Sequence, residues 1–379
     1  MSSVTTDTHR EENVATRDPT GCDSVPVTID YSEQSSASSF SMKRLMKFAG
    51  PGLLMSIAYV DPGNLESDLQ TGARTGHTLG WLVLWSTVLG FLVQLLAMRL
   101  GVVTTKHLAQ HCRDVYPVMP RIVLWLMTEI AIIGSDIQEV IGSAIAIRLL
   151  SNSTVPLWAG VLITGVDTFF LLFLERLGAR KLEAFFGVLV ATMTASFGVM
   201  YAKAKCPTGQ VLLGVLLPRI SSKDIDIAAG VVGSLVMPHN IFLHSALVQS
   251  RKIDTSSKLA KREAILYNAI ESGVSLGITV VINLFVVAVF AVRFHSSAAV
   301  DVGLSSAGTY LGERFGDVTK IIWAIGLLAA GQSSTMTGTY TGQFVMSGFM
   351  DLKVCLLFDS HDRFHRGLSS LWEFVKLHV

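Results

Sequence analysis

Ser56-Ile57-Ala58-Tyr59-Val60-Asp61-Pro62-Gly63-Asn64-Leu65 and Gly233-Ser234-Leu235-Val236-Met237-Pro238-His239-Asn240-Ile241-Phe242 lie in two apolar stretches, each broken by a short polar insertion that contains proline. Proline has no N–H and its ring clashes with the carbonyl four residues back, so Pro62 frees the C=O of Ala58 and Pro238 that of Ser234. Inside hydrocarbon, unpaired carbonyls persist only where they line a cavity or meet a ligand. Beside the breaks stand a carboxylate (Asp61), an amide (Asn64) and a thioether (Met237), and Gly63 permits an unwound backbone and close approach of an ion. Two carbonyls, two oxygen side chains and one sulfur converging in this way make a metal site, not a lipid-facing surface.

The rest of the chain supplies a membrane around those breaks. Of 379 residues, 50% are hydrophobic and only 16% charged, and the mean hydropathy is +0.50, which places the chain in a bilayer. A net charge of +1 with no basic patch excludes a nucleic-acid partner. The cysteines Cys22, Cys112, Cys206 and Cys355 are scattered without CxxC spacing, so neither a zinc knot nor a disulfide framework is expected. No Walker sequence, Gly-x-Ser-x-Gly or His-Glu-x-x-His is present, which removes the groups needed for ATP-driven pumping or hydrolysis and points away from an enzyme.

A bilayer core takes about 20 apolar residues per helix. Candidate spans lie near 48–72, 80–100, 121–149, 157–175, 184–202, 225–249, 266–292 and 318–346, about eight in all. Residues 1–42, rich in Ser, Thr, Asp and Glu, read as a disordered cytosolic tail. Basic clusters at Lys43, Arg44 and Lys47, at Arg176, Arg180 and Lys181, and from Arg251 to Arg262 fall on one side if the N-terminus is cytosolic, whereas Lys203, Lys205, Arg219 and Lys223 run against that rule. The broken sixth span comes five after the broken first, an odd step that inverts the second unit. This is the layout of a five-plus-five inverted repeat with its substrate at midplane between discontinuous helices. Residues 43–203 form the first unit and 225–350 part of the second, while 351–379 hold no apolar run long enough to span, so an incomplete second repeat is expected.

Asp61-Pro62-Gly63-Asn64 in a first helix with Met237-Pro238-His239-Asn240 in a sixth closely resembles the Nramp family of proton-coupled divalent-metal transporters. Ser135-Asp136-Ile137-Gln138-Glu139-Val140-Ile141-Gly142 is similar to that family's third helix, and Gly331-Gln332-Ser333-Ser334-Thr335-Met336-Thr337-Gly338-Thr339-Tyr340 to its transport signature. The likeness covers roughly residues 43–350 in order and spacing. It implies that Asp61, Asn64 and Met237 are side-chain metal ligands, with Ala58 and Ser234 giving carbonyls, and that His239 handles protons or orients the helix instead of binding the ion. It further implies a multi-pass protein of a plasma or endosomal/vacuolar membrane that imports Mn, Fe or a similar ion with protons. No resident cofactor is expected beyond the transported ion. A chain that lacks the last helices is also consistent with a non-transporting isoform that binds metal or regulates a full-length partner.

The residues themselves support parts of this. A carboxylate at bilayer depth costs about 2.5–3.5 kcal/mol unless paired or protonated, which makes Asp61 an exchange point between a cation and a proton. Calcium and magnesium prefer hard oxygen ligands, whereas the Met237 thioether suits borderline ions such as Mn(II), Fe(II), Co(II) or Cd(II). With the carboxylate, that sulfur also argues against a sodium-coupled amino-acid carrier on the same scaffold. Asp136 and Glu139, at i and i+3, share a helix face; paired acids in a membrane helix suggest a proton relay, and a polar contact with a neighbouring helix is the alternative. Gln138 is expected to point elsewhere and to pack on or bond to a neighbouring helix. The stretch from Gln332 to Tyr340, rich in Ser, Thr and Gly, is expected to be structural or gating, because such residues allow close helix packing.

Overall fold

The computed structural model describes residues 27–28, 42, 45, 55, 58–174, 179–253, 257–295 and 302–350. Most of the expected N-terminal tail, the start of the first span and the segment 351–379 lie outside the described residues. Asp61 caps α1 (Pro62–Thr75), with Pro62 in the first helical position, where a missing N–H costs nothing. There follow α2 (Gly80–Thr104), the short α3 (Leu108–Val115), α4 (Val118–Leu150), α5 (Leu157–Leu174), α6 (Ala179–Ala204) and the short α7 (Thr208–Leu216). The sixth span is two helices, α8 (Ile225–Leu235) and α9 (Pro238–Leu247). The described chain ends with α10 (Lys258–Phe294), α11 (Leu304–Phe315) and α12 (Asp317–Met350). A two-residue parallel pairing of Val27–Thr28 with Arg251–Lys252 is the one departure from helix and coil among the described residues.

Each expected span carries a helix, and among the described residues four stretches are long and apolar enough to cross a membrane: Gly80–Thr104, Val118–Leu150, Ser222–Leu247 and Lys258–Phe294. The seventh starts earlier than its apolar run because the Ser257 hydroxyl accepts the Ala260 N–H at 3.3 Å and caps a turn containing Lys258, Lys261 and Arg262. Hydropathy sees only the apolar part. The short helices α3, α7 and α11 were not among the expected elements for the same reason, since none is long enough to register as a span.

The burial pattern is that of a protein in lipid. Trp85, Leu89, Leu92 and Leu96 follow one another on one face of α2 and are exposed, as are Ile130, Ile133, Ile137 and Ile141 on α4. Asn268, Asn283, His244, Glu139 and Thr341 are buried instead. In water such an arrangement would be inside out; in hydrocarbon the apolar faces meet lipid and the polar groups must find partners within the bundle.

The bundle is organised by two long pairings, α12 along α4 and α10 along α1. Leu65 and Leu69 of α1, Leu149 of α4, Ile282, Val286 and Phe290 of α10, and Trp323 and Leu327 of α12 share the largest buried cluster. Trp323 stacks edge-on against both Phe197 and Phe290, with ring centroids 5.5 Å and 5.7 Å away. That core lies beside α1, and so sets where the first break sits.

Candidate metal site at the two helix breaks

Both breaks occur where proline chemistry puts them. In the first, helical geometry at Ala58 gives way at Tyr59 to Asp61 and resumes at Pro62. The Asp61 Oδ1 accepts the Asn64 N–H at 2.6 Å and the Asp61 carbonyl accepts the Leu65 N–H at 3.0 Å. In the second, α8 ends at Leu235 and α9 starts at Pro238 with Met237 as its N-cap. Residues 62 and 238 are prolines, so the Ala58 and Ser234 carbonyls cannot receive the regular i+4 helical bond. Ser234 also donates its hydroxyl to the Val231 carbonyl at 3.2 Å.

Two buried clusters set the breaks side by side. Ala58 belongs to one with Met55 and with Leu243 of α9; Tyr59 belongs to another with Val231 and Leu235 of α8. Thus residues flanking the first break pack against residues on either side of the second. Asp61 and Asn64 are each 1% exposed and Met237 7%. Both side-chain polar atoms of Asn64 are buried and, among the described residues, without a hydrogen-bond partner, a state that is costly unless something else occupies them. The Met237 sulfur receives the Asn240 amide alone among the described residues, at 3.5 Å. Among the described residues no three His, Cys, Asp or Glu side chains gather, so a cation held here depends on carbonyls, an amide and a thioether beside one carboxylate.

The third span braces the first break. A β-carbon at Gly142 would collide with the Pro62 ring, and one at Gly63 with Gln138 Oε1. Gln138, expected to point away from the Asp136 and Glu139 face and to pack on or bond to a neighbouring helix, does meet a neighbouring helix, α1, and meets it at the break itself. Asp136 and Glu139 do share a face, which looks onto α12: a β-carbon at Gly338 would lie 2.6 Å from Asp136 Oδ1 and 3.8 Å from Glu139 Oε2. Glu139 Oε1 accepts the Ser135 hydroxyl at 2.9 Å and the Ser334 hydroxyl at 2.6 Å. Glu139 Oε2 and Asp136 Oδ1 are buried and without partners. His239 is 5% exposed with Nδ1 unpartnered, and His244 is buried with Nε2 3.4 Å from the Ser272 hydroxyl.

Ser334 and Asn240 were quoted in the motifs but given no individual role, and Asp68 and Asn283 were passed over. Asp68 and Asn283 are buried at 2% and 0% exposure, with Asp68 Oδ2 and both Asn283 polar atoms unpartnered. Asp68 had a signal, since it follows Asp61 by seven residues and so returns to the same face of α1. Asn283 had a similar one, as an amide inside an otherwise apolar span.

A helical bundle with apolar outer faces, two juxtaposed proline breaks, oxygen and sulfur donors at the breaks and an acidic pair on the third span belongs to the class of helical integral membrane proteins. Within that class the family is defined by sequence. The family model "Natural resistance-associated macrophage protein-like" matches residues 52–369, and the chain belongs to the Nramp family. It is similar to the metal transporter nramp1 homolog of Dictyostelium discoideum, 59% identical over 314 residues, covering 83% of this chain and 59% of that one. It is also similar to the metal transporter Nramp3 of Arabidopsis thaliana, 58% identical over 319 residues, with 83% and 63% covered. The chain thus spans about three-fifths of the length of these curated relatives. Among solved structures it resembles the Eremococcus coleocola manganese transporter in complex with an aromatic bis-isothiourea substituted compound, with a TM-score of 0.76 and 32% identity over 84% of this chain and 68% of that one. A point mutant of that transporter gives a TM-score of 0.75 at 32% identity, with 86% and 70% covered.

Proposed function

We propose that the chain binds a divalent transition-metal ion between its two breaks and carries it toward the cytosol, together with protons, by alternating access across the membrane. Asp61, Asn64, Met237 and the carbonyls of Ala58 and Ser234 hold the ion; Asp136, Glu139 and His239 handle protons along with Asp61. The observation that carries this reading is the buried Asn64 amide, unpartnered at both polar atoms, next to a carboxylate and two carbonyls freed by proline. Membership of the Nramp family supports it, as do relatives named metal transporters.

The thioether narrows the cargo to Mn(II), Fe(II) and similar ions. With the N-terminus cytosolic, in a plasma or endosomal/vacuolar membrane, a divalent ion moving inward gains about 4.6 kcal/mol per ~100 mV of inside-negative potential, twice the value for one charge, so no ATP is needed. The two broken helices, five spans apart, act as the paired moving elements of an inverted repeat.

Mn(II) uptake into proteoliposomes at acid and at neutral external pH, with Asp61→Ala as control, tests the reading. Uptake that rises with acidity and disappears in the variant is the expected result. Mn(II) binding without uptake, in a protein correctly inserted, would replace transport by a metal-binding role alone.

A further inference from the structure

The first-span helix α1 is tied to α11 by a polar clasp that the metal site does not use. Helix α11 opens with Gly303 as its N-cap, a residue with no side chain to satisfy the first N–H groups of its own helix. The missing acceptor comes from α1: Glu66 Oε2 accepts the Leu304 N–H at 3.0 Å. Gln70, one turn further along α1, donates to Glu66 Oε1 at 2.8 Å and to the Val302 carbonyl. Two side chains of α1 thus hold the entry to a helix more than two hundred residues away.

On its other side α11 is fixed by different means. The Leu304 carbonyl accepts the Trp323 indole N–H at 3.2 Å. Leu304, Ala307 and Leu311 are buried in the cluster shared with Leu149 and Trp323. Gly308 sits so close that a β-carbon there would stand 2.5 Å from Leu149 Cδ1 and 2.9 Å from Trp323 Cδ1. Helix α11 is therefore packed onto α4 and α12 by apolar surface; Leu65 and Leu69 of α1 share that cluster, and Glu66 and Gln70 add hydrogen bonds at the entry to α11. If α1 moves away from α4 and α12, the contacts of α11 with α4 and α12 can persist while the clasp must break.

We propose that Glu66 and Gln70 are positioning residues that latch α1 to α11, so that the end of the bundle where α1 terminates opens only when this clasp releases. The inference rests on the transport reading for its purpose, since alternating access requires one broken helix to swing while its neighbours stay. Its geometry does not depend on which ion is carried. Release frees α1, which carries Asp61 and Asn64, to move relative to α4 and α12, and re-forming the clasp closes that side.

The test measures distance, not transport. Spin labels at Thr78→Cys, just past α1, and Thr309→Cys, on the exposed side of α11, are placed in the full chain with its four native cysteines replaced by alanine and reconstituted in nanodiscs. Double electron–electron resonance then reports the separation. With Glu66 and Gln70 intact, one short distance dominates. Glu66→Ala and Gln70→Ala each raise the longer-distance population about three- to tenfold, the effect of losing a helix cap. Ser306→Ala removes only bonds inside α11, from the Gly303 N–H to the Ser306 hydroxyl at 2.8 Å and from that hydroxyl to the Gly303 carbonyl at 3.0 Å, and leaves the distribution unchanged.

Unchanged distances in both clasp variants would overturn the latch, and so would equal broadening in Ser306→Ala, which would mean that α11 had merely frayed. If Glu66→Ala is not recovered folded, Gln70→Ala decides, because it keeps the carboxylate cap. A shift in distances from a chain that moves no Mn(II) would retain the latch and discard the transport reading; Mn(II) uptake with no shift would do the reverse.

Discussion

The two helix breaks are built to the same plan, a proline with a proposed side-chain ligand before it and an asparagine two residues after it, yet they are held differently. At the first, Asp61 caps its own helix through the Asn64 N–H, and Pro62 is wedged against Gly142 of the third span. At the second, Met237 makes no side-chain cap bond, its sulfur meets only the Asn240 amide among the described residues, and Pro238 is exposed. The charged half is fixed by its own cap and a neighbouring helix; the sulfur half is softer. That division has a physical basis. Coulomb energy between a carboxylate and a cation depends steeply on distance in a low-dielectric site, whereas a polarizable thioether on three rotatable bonds adapts to what it meets.

Removing the charge should break the comparison most severely. Asp61→Ala leaves a buried divalent ion without its anionic partner, a loss of about 3–5 kcal/mol, so Mn(II) affinity by isothermal titration calorimetry falls at least about 100-fold. The same change removes the cap, and unfolding free energy without metal drops by about 1 kcal/mol. Asp61→Asn separates the two roles, because asparagine caps as well as aspartate: Mn(II) binding is lost while metal-free stability is kept. Equal destabilisation by Ala and Asn would show that the cap contributes nothing.

The next test asks whether the first break is rigid because the third span presses on it. Gly142→Ala puts a methyl into the Pro62 ring, which cannot rotate aside, and should cost about 1–3 kcal/mol by overpacking, read as a fall in the denaturation midpoint in detergent. Ser334→Ala is milder. It takes away the 2.6 Å donor that ties Glu139 to α12, and about 1 kcal/mol is expected. A Gly142→Ala protein of unchanged stability would mean that the third span does not brace the break.

Much of this was legible before any coordinates, and the reason differs from feature to feature. The breaks at Asp61-Pro62 and Met237-Pro238 could be placed to the residue because proline acts locally, through its own N–H and the carbonyl four residues back. Spans such as 80–100 and 157–175 could be placed to within a few residues because hydrocarbon imposes length and composition together, whereas the helix of the seventh span, Lys258–Phe294, begins ahead of its apolar run. Gln138 was read away from the site because helical periodicity sets the direction of a Cα–Cβ bond but not how far a long amide reaches. The bracing of Pro62 by Gly142, and of Glu139 by Ser334, joins helices far apart in the chain, and nothing in a single sequence pairs them. Helix α11 and its cap from Glu66 escaped for both reasons: the helix is too short for hydropathy, and its capping residue lies in another span.

Met237→Ala should have the smallest effect on Mn(II) affinity and the most specific one on selectivity. Mn(II) accepts oxygen and nitrogen ligands as readily as sulfur, so the loss of one thioether, with Asp61, Asn64 and two carbonyls retained, should weaken its binding by less than about tenfold. The proposed site should exclude Ca(II), because a hard ion would give up water for a sulfur that does not replace it. Without the sulfur, a water can fill the vacated position and complete an all-oxygen shell, so Ca(II) affinity should rise as Mn(II) affinity falls. Competition between the two ions, measured by calorimetry on Met237→Ala beside the unmodified chain, decides the matter. Calcium exclusion that survives the substitution would show that selectivity resides in the rigid Asp61 half and not in the softer one.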